Sequence, residues 1–195
     1  PESVTRLYGL GGKMTGDFAH NCILARRLLE RGVRFVQLYS GGPLGGNPRT
    51  SWDGHEKMVP NHTREAARID QPVAALLKDL KQRGMLEDTL VTFTTEFGRT
   101  PFTQSPANTL GDGRDHNHPG FTVWIAGGGV RAGTAYGATD EIGYRAVENR
   151  VSWHDFHATV LHLFGLDHEQ LSFYHNGIQR RLTNVHGHVL HDVLG

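Results

Sequence analysis

Three short runs rich in strand-forming residues alternate with helical patterns, and this alternation constrains the fold more than any other feature of the chain. The strand runs are residues 33–39, 89–95 and 121–126. Between the first two, Ala66, Ile69, Val73, Leu76, Leu77 and Leu80 recur at spacings of three and four. That period belongs to one apolar helix face, so residues 61–83 are expected to be helical. Pro72 lies inside the pattern and predicts a kink or a break, since proline has no N–H to donate and crowds the preceding turn. Residues 17–31 predict another helix, with Phe18, Cys22, Ile23, Leu24, Leu28 and Leu29 mostly on one face and Gly32 as its stop. A last helix is expected over residues 154–164, with Ser152 as N-cap, Asp155 three residues on, and Gly165 beyond its end. The first 16 residues are weakly patterned, 41–48 must form a loop, and the tail from Leu166 reads as short turns with a hairpin. The fold class expected is α/β, a largely parallel sheet flanked by helices.

The 195 residues are expected to form a single domain, 1–195. Twenty acidic and 20 basic side chains balance to a formal net charge of zero, which excludes a strongly basic nucleic-acid footprint. No run approaches the ~18 apolar residues of a membrane span. One cysteine excludes an internal disulfide and a Cys-rich zinc site. The compositional oddity is histidine: 13 in all, ten of them between His116 and His191.

Several motif matches fail on context. Cys22-Ile23-Leu24-Ala25-Arg26 has the ends of the sulfatase Cys-x-Pro-x-Arg signature without its proline, and Cys22 lies on an apolar helix side, where packing is the expected role. Gly127-Gly128-Gly129-Val130-Arg131-Ala132 matches a dinucleotide fingerprint in form, but that motif must open a helix and Gly133-Thr134-Ala135-Tyr136-Gly137 follows. Gly12-Lys13-Met14-Thr15 lacks the hydroxyl residue and upstream glycine of a P-loop.

A metal constellation survives. Divalent ions take carboxylate oxygen and imidazole nitrogen, and three places near strand ends offer them. Asp53 and His55 lie in the loop after the first strand, Glu96 follows the second, and His116, with His118 in reserve, closes the long polar loop before the third. Ligands of open α/β sheets gather beyond the carboxyl ends of strands. Asp53, His55, Glu96 and His116 therefore make a candidate O2N2 set for zinc, manganese or calcium, against the alternative of solvated loop residues. Arg99 is a candidate clamp for a tetrahedral anion, or an ion-pair partner of a nearby carboxylate. Asp115 is placed to orient an imidazole. His154 with His157, one helical turn apart, and His186 with His188 can also chelate in principle, but are read as packed or solvated.

At these residues a family resemblance appears. The run Thr89-Leu90-Val91-Thr92-Phe93-Thr94-Thr95-Glu96-Phe97-Gly98 is similar to the T-L-V-x-x-T-A-D-H-G strand and metal loop of the alkaline phosphatase superfamily, which includes sulfatases. His116 resembles its metal-binding histidine before the next strand. Asp155-Phe156-His157-Ala158-Thr159-Val160-Leu161 resembles the sulfatase D-I-x-P-T-x-L helix. More narrowly, nearly the whole chain resembles the C-terminal part of the bacterial family filed as domain of unknown function 1501. The runs that carry this likeness are Ala25-Arg26-Arg27-Leu28, Glu96-Phe97-Gly98-Arg99-Thr100-Pro101, Gly113-Arg114-Asp115-His116 and Trp124-Ile125-Ala126-Gly127-Gly128-Gly129-Val130.

The resemblance implies an alkaline phosphatase-like fold, of which residues 1–195 are the C-terminal portion. It implies a metal-dependent hydrolase of phosphate or sulfate esters, acting on a small-molecule or glycan substrate in an exported or periplasmic setting. Two departures matter. Glu96-Phe97 stands where the phosphatases have Asp-His, and Asp53-Gly54-His55 is shorter than their Asp-x-x-x-His pair. The strand that carries the nucleophile in that superfamily has no counterpart here, so the hydrolase is expected to be incomplete in this chain and a homo-oligomer or a further segment is expected to cover its sheet. The alternative is a non-catalytic phosphatase-like module for binding or assembly.

Overall fold

The structure, a computed structural model, describes residues 2–40, 51–105, 108 and 110–195. The loop expected at 41–48 lies outside the described residues. In chain order the elements are helices α1 (Glu2–Tyr8), α2 (Gly16–Leu29) and α3 (Met58–Gln82), then strands β1 (Val91–Phe93), β2 (Gly98–Arg99), β3 (His116–Asn117), β4 (Trp124–Ala126), β5 (Ala138–Thr139) and β6 (Ala146–Glu148). Helix α4 (Trp153–Leu163) follows, then β7 (Ser172–His175), β8 (Ile178–Arg181) and a 3-10 turn over His191–Val193. The chain divides into two compact units, one of residues 1–86 and 99–117, the other of residues 87–98 and 118–195.

The first unit packs α1 and α2 against α3. On α2, Phe18, Cys22 and Ile23 of the expected apolar face are buried, joined by Ala19 and Ala25, while Leu28 and Leu29 are half-buried and Leu24 is exposed. Burial pushes the Cys22 thiol up to about 12, so this sulfur is an inert packing atom. On α3 the buried stripe runs through Asn61, Glu65, Pro72, Ala75, Leu76, Asp79 and Leu80. It therefore mixes the expected leucines with two carboxylates. No break occurs at Pro72, which is fully buried within a continuous helix; tertiary packing of one face holds α3 together across the missing N–H.

The buried charges are paired. Asp79 accepts from the Tyr8 hydroxyl at 2.9 Å and from Arg83 Nε at 2.7 Å, and Arg26 Nε lies 3.1 Å away. Arg26 and Arg83 both continue to Glu30, at 2.6 and 3.0 Å. Desolvation acts upward on the Asp79 carboxyl, but hydrogen bonds from Arg83 and Tyr8 and the two guanidinium charges outweigh it and hold it below the usual range. Such a network fixes which faces meet more than it adds net stability. It also explains α1. Residues 2–8 carry little pattern, and the helix is anchored by Tyr8 on Asp79 and by Gln71 Nε2, which donates to the carbonyls of Arg6 and Leu7.

In the second unit β1 pairs antiparallel with β4, Val91 opposite Ala126 and Phe93 opposite Trp124, whose rings stack 5.7 Å apart. β5 pairs with β6 and β7 with β8, also antiparallel. The β7–β8 hairpin turns on Asn176 and Gly177, at φ +49° and +83°. Two positive φ values in succession are what a two-residue type I′ turn requires, and Asn-Gly supplies them. Helix α4 begins with a complete capping box: Asp155 N donates to Ser152 Oγ while Ser152 N donates to Asp155 Oδ2. Gly127, Gly128 and Gly129 all have positive φ and open no helix, in keeping with the failed dinucleotide match.

Two strand expectations need correction. Residues 33–39 form no strand, and Phe35 and Tyr39 are exposed. Strand propensity reports fit to a pleated, half-buried surface, and this run meets no ladder partner among the described residues. The runs at 89–95 and 121–126 shrink to three residues each. Among the described residues the sheets are four two-stranded ladders, and the registers of β1–β4, β5–β6 and β7–β8 are antiparallel.

Candidate metal centre

The site lies in the first unit and is assembled by two segments that dock through their backbones. In residues 52–55 the N–H of Gly54 donates to Trp52 O at 2.8 Å and that of His55 to Asp53 O at 2.9 Å. Two successive i to i+2 bonds curl the chain in γ-turn fashion. They turn the side chains of Asp53 and His55 toward a common point, so the short Asp-x-His spacing suffices.

The second segment is the long polar loop, which folds back on itself. Thr100 N donates to Asp115 O at 2.9 Å and Gln104 N to Gly113 O at 3.0 Å. Arg114 N then donates to Gly54 O at 3.0 Å, and the Asp112 carboxylate accepts from Lys57 N at 2.9 Å. Lys57 is the N-cap of α3, so Asp112 places a negative charge at a helix N-terminus, where it is favourable. Gly113 is needed for the approach: a Cβ there would lie 1.8 Å from His55 O.

β2 and β3 pair, and they carry Arg99 and His116. With Asp53 and His55 these side chains converge. Asp53 Oδ1, His55 Nε2 and His116 Nε2 form a triangle with edges of 2.9, 3.1 and 3.3 Å. Among the described residues this is the one group of three carboxylate, imidazole or thiol ligands close enough to share an ion. Arg99 Nη2 donates to Asp53 Oδ1 at 2.5 Å, Nη1 donates to Arg114 O at 3.2 Å and lies 3.5 Å from His55 Nε2. Desolvation acts upward on the Asp53 carboxyl, but hydrogen bonds from Arg99 and His116, with the nearby charges, hold it below the usual range. Asp53 is therefore an anion at neutral pH. His55 and Arg99 are largely covered, whereas His116 stands more open, so the site is reached from the His116 side.

Of the residues nominated from sequence, Asp53, His55, His116 and Arg99 come together. Glu96 and His118 belong to the second unit, both exposed. β1 ends three residues before Glu96, whose carbonyl accepts from Trp153 Nε1 at 3.4 Å. Asp115 binds the His116 backbone N–H at 2.8 Å and stands 3.9 Å from His55 Nδ1. The close partner of His55 Nδ1 is instead Gln104 Oε1, at 2.6 Å. Sequence reading passed over Gln104, since a lone glutamine in a polar loop has no pattern. Asp112, flanked by Gly111 and Gly113, did carry one, the signature of a tight backbone approach.

The chain was compared with known proteins. The profile of a family described as "Protein of unknown function (DUF1501)" matches residues 1–194. No curated protein and no solved structure matches the chain.

Proposed function

The chain belongs to the DUF1501 family, and we propose that it uses Asp53, His55 and His116 to hold one divalent ion in a hydrolase-type domain for phosphate or sulfate esters. The observation that carries this reading is the triangle of donor atoms. An ion about 2.0–2.1 Å from each ligand spaces tetrahedral donors roughly 3.3–3.4 Å apart. The edges of 2.9 to 3.3 Å need only a slight opening to match. One carboxylate oxygen and two imidazole nitrogens suit zinc best, manganese next, and calcium, which prefers oxygen, least. The alkaline phosphatase-like α/β frame is part of the same proposal.

When bound, such an ion supplies Lewis acidity toward an ester oxygen. The protein's own contribution is electrostatic and positional. Asp53 stays ionised and ties the centre to Arg99. Arg99 is fixed along one edge by Asp53 and Arg114 O, and its guanidinium has five N–H donors in all. Those left over are suited to a tetrahedral oxyanion beside the ion. No residue of this chain is assigned the nucleophile. One observation favours the alternative, a non-catalytic binding or assembly module: the Arg99 guanidinium already rests on Asp53 Oδ1.

The test is metal analysis of untagged protein equilibrated with zinc. About one equivalent is expected for a single tetrahedral site, lost in Asp53→Ala and His116→Ala. Metal retained in both variants overturns the assignment. Turnover of aryl phosphate or aryl sulfate that falls with Arg99→Ala supports the hydrolase. Metal bound without turnover favours the module.

A further inference from the structure

We propose that Gln104 is a positioning residue of the metal centre, one that fixes the tautomer of His55 so that Nε2 keeps its lone pair for the ion. The inference rests on the metal reading above and deepens it.

An amide oxygen only accepts hydrogen bonds. Gln104 Oε1 faces His55 Nδ1 at 2.6 Å, so Nδ1 carries the hydrogen and donates. A metal-bound imidazole is neutral and has one N–H, so with that N–H on Nδ1 the His55 Nε2 keeps its lone pair for the ion. Nε2 faces the triangle, 2.9 Å from Asp53 Oδ1 and 3.1 Å from His116 Nε2. With the opposite tautomer Nε2 would satisfy Asp53 by donating to it, and His55 would no longer be a ligand. Metal-binding histidines characteristically donate their second ring N–H to an oxygen, which sets ring orientation and tautomer. Gln104 supplies that oxygen from the far side of the loop.

Its placement is built rather than incidental. Gln104 N is bonded to Gly113 O at 3.0 Å, and Gly113 is packed against His55 O. The backbone that presents His55 therefore also places the side chain opposite its Nδ1. One turn of the loop further, Ser105 Oγ accepts from Gly111 N at 2.8 Å. Ser105 holds the loop without touching the imidazole, and so serves as a control.

Two readouts test the proposal in the full chain. The first is zinc affinity, by competition with a chromophoric chelator. Gln104→Leu is expected to weaken it ~10–100-fold, the usual effect of removing such a partner. Gln104→Glu, which still accepts from Nδ1, is expected to stay close to the parent. Ser105→Ala is expected to change little. The second is the His55 tautomer in metal-free protein, read by long-range proton–nitrogen NMR and assigned with His55→Gln. The parent is expected to show the Nδ1–H form, and Gln104→Leu to lose it.

Unchanged affinity in Gln104→Leu, an equal loss in Ser105→Ala, or an Nε2–H tautomer in the parent would each overturn the proposal. Should the parent bind no zinc, the metal reading fails by itself. The tautomer assignment then stands if the Nδ1–H form depends on Gln104, and falls if it does not.

Discussion

The centre of the first unit and the histidine-rich end of the second draw on the same side-chain chemistry with opposite results. Near Asp53 two histidines suffice, because each is brought in by a different segment and a carboxylate arrives with them. Toward the C-terminus histidines are more abundant, yet they meet in pairs. His154 faces His186 at 5.0 Å between ring centroids, and His162 faces His191 at 5.6 Å. No third ligand group joins either pair among the described residues. His168 is buried and spends Nδ1 on Thr183 Oγ1 at 2.9 Å. The difference shows that local density of imidazoles does not make a site. What distinguishes the first region is loop closure by backbone hydrogen bonds, which brings one carboxylate oxygen and two imidazole nitrogens within 3.3 Å of one another.

The strongest way to break this contrast is to delete ligands in each region and compare zinc binding. Removing the carboxylate or an imidazole directly on the ion is expected to cost more than the ~10–100-fold of outer partners. Asp53→Ala and His55→Ala should therefore fall by more than about 100-fold. The double variant His154→Ala with His186→Ala should bind as the parent does. A drop in that double variant, with Asp53→Ala unaffected, would reverse the assignment of the two regions.

A smaller effect sharpens the role of loop closure. Gly113→Ala puts a methyl group 1.8 Å from His55 O, which no rotation relieves because both atoms belong to the backbone frame. The segments must part, at a cost on the order of 1–3 kcal/mol for forced overpacking. Urea unfolding should report it, and zinc affinity should fall alongside, although no ligand has been touched. Gly133→Ala is a useful comparison. Its φ of +72° is strained for alanine, but its Cβ would meet nothing, so zinc affinity should remain. Equal zinc affinity in Gly113→Ala and the parent would show that the docking of the two segments is unimportant.

How far the sequence discloses this molecule follows the range of the forces involved. Local signals read true: the helix α2, the long α3, the Ser152–Asp155 box and a hairpin in the tail all arise from residues within a few positions of one another. Signals that depend on a distant partner did not. Residues 33–39 have strand composition but no ladder, and α1 is secured by Tyr8 on Asp79, 71 positions away. The same division runs through the centre. Asp53, His55, Arg99 and His116 stand out by chemistry and by their place in loops, so their meeting was legible. Gln104 acts through one contact across 49 positions, and nothing near it in the chain announces that. Strand direction also depends on distant partners. Alternation of strands and helices argues for parallel neighbours only where strands are long enough to pair throughout, and β1 and β4 pair over three residues, antiparallel.

The smallest expected effect contrasts the carboxylate at the start of α4 with the one at the metal centre. Asp155 accepts from Ser152 N and Oγ at 2.8 and 2.7 Å and from His188 N at 2.8 Å. It thereby caps α4 and pins the tail segment to it. Desolvation acts upward on this carboxyl, but hydrogen bonds from Ser152 and His188 and the charge of His188 hold it below its ordinary value. A carboxyl lowered by folding stabilises fully above its unfolded value, about 3.9, and loses that contribution as pH falls through the folded value. Asp155→Asn keeps an acceptor but has no charge to lose. Parent and variant should therefore differ most near neutral pH, by ~0.5–2 kcal/mol as for other N-terminal caps, and converge as the pH falls through the lowered folded value. Urea midpoints at a series of pH values measure this directly. Asp53 is shifted in the same direction, but on the proposed reading a bound zinc ion would give it a second way to remain ionised. Added zinc should thus protect the parent and Asp155→Asn equally against acid, while leaving the difference between them unchanged. A zinc-dependent change in that difference would mean that the two carboxylates act as one system, and the separation of the two regions would fall with it.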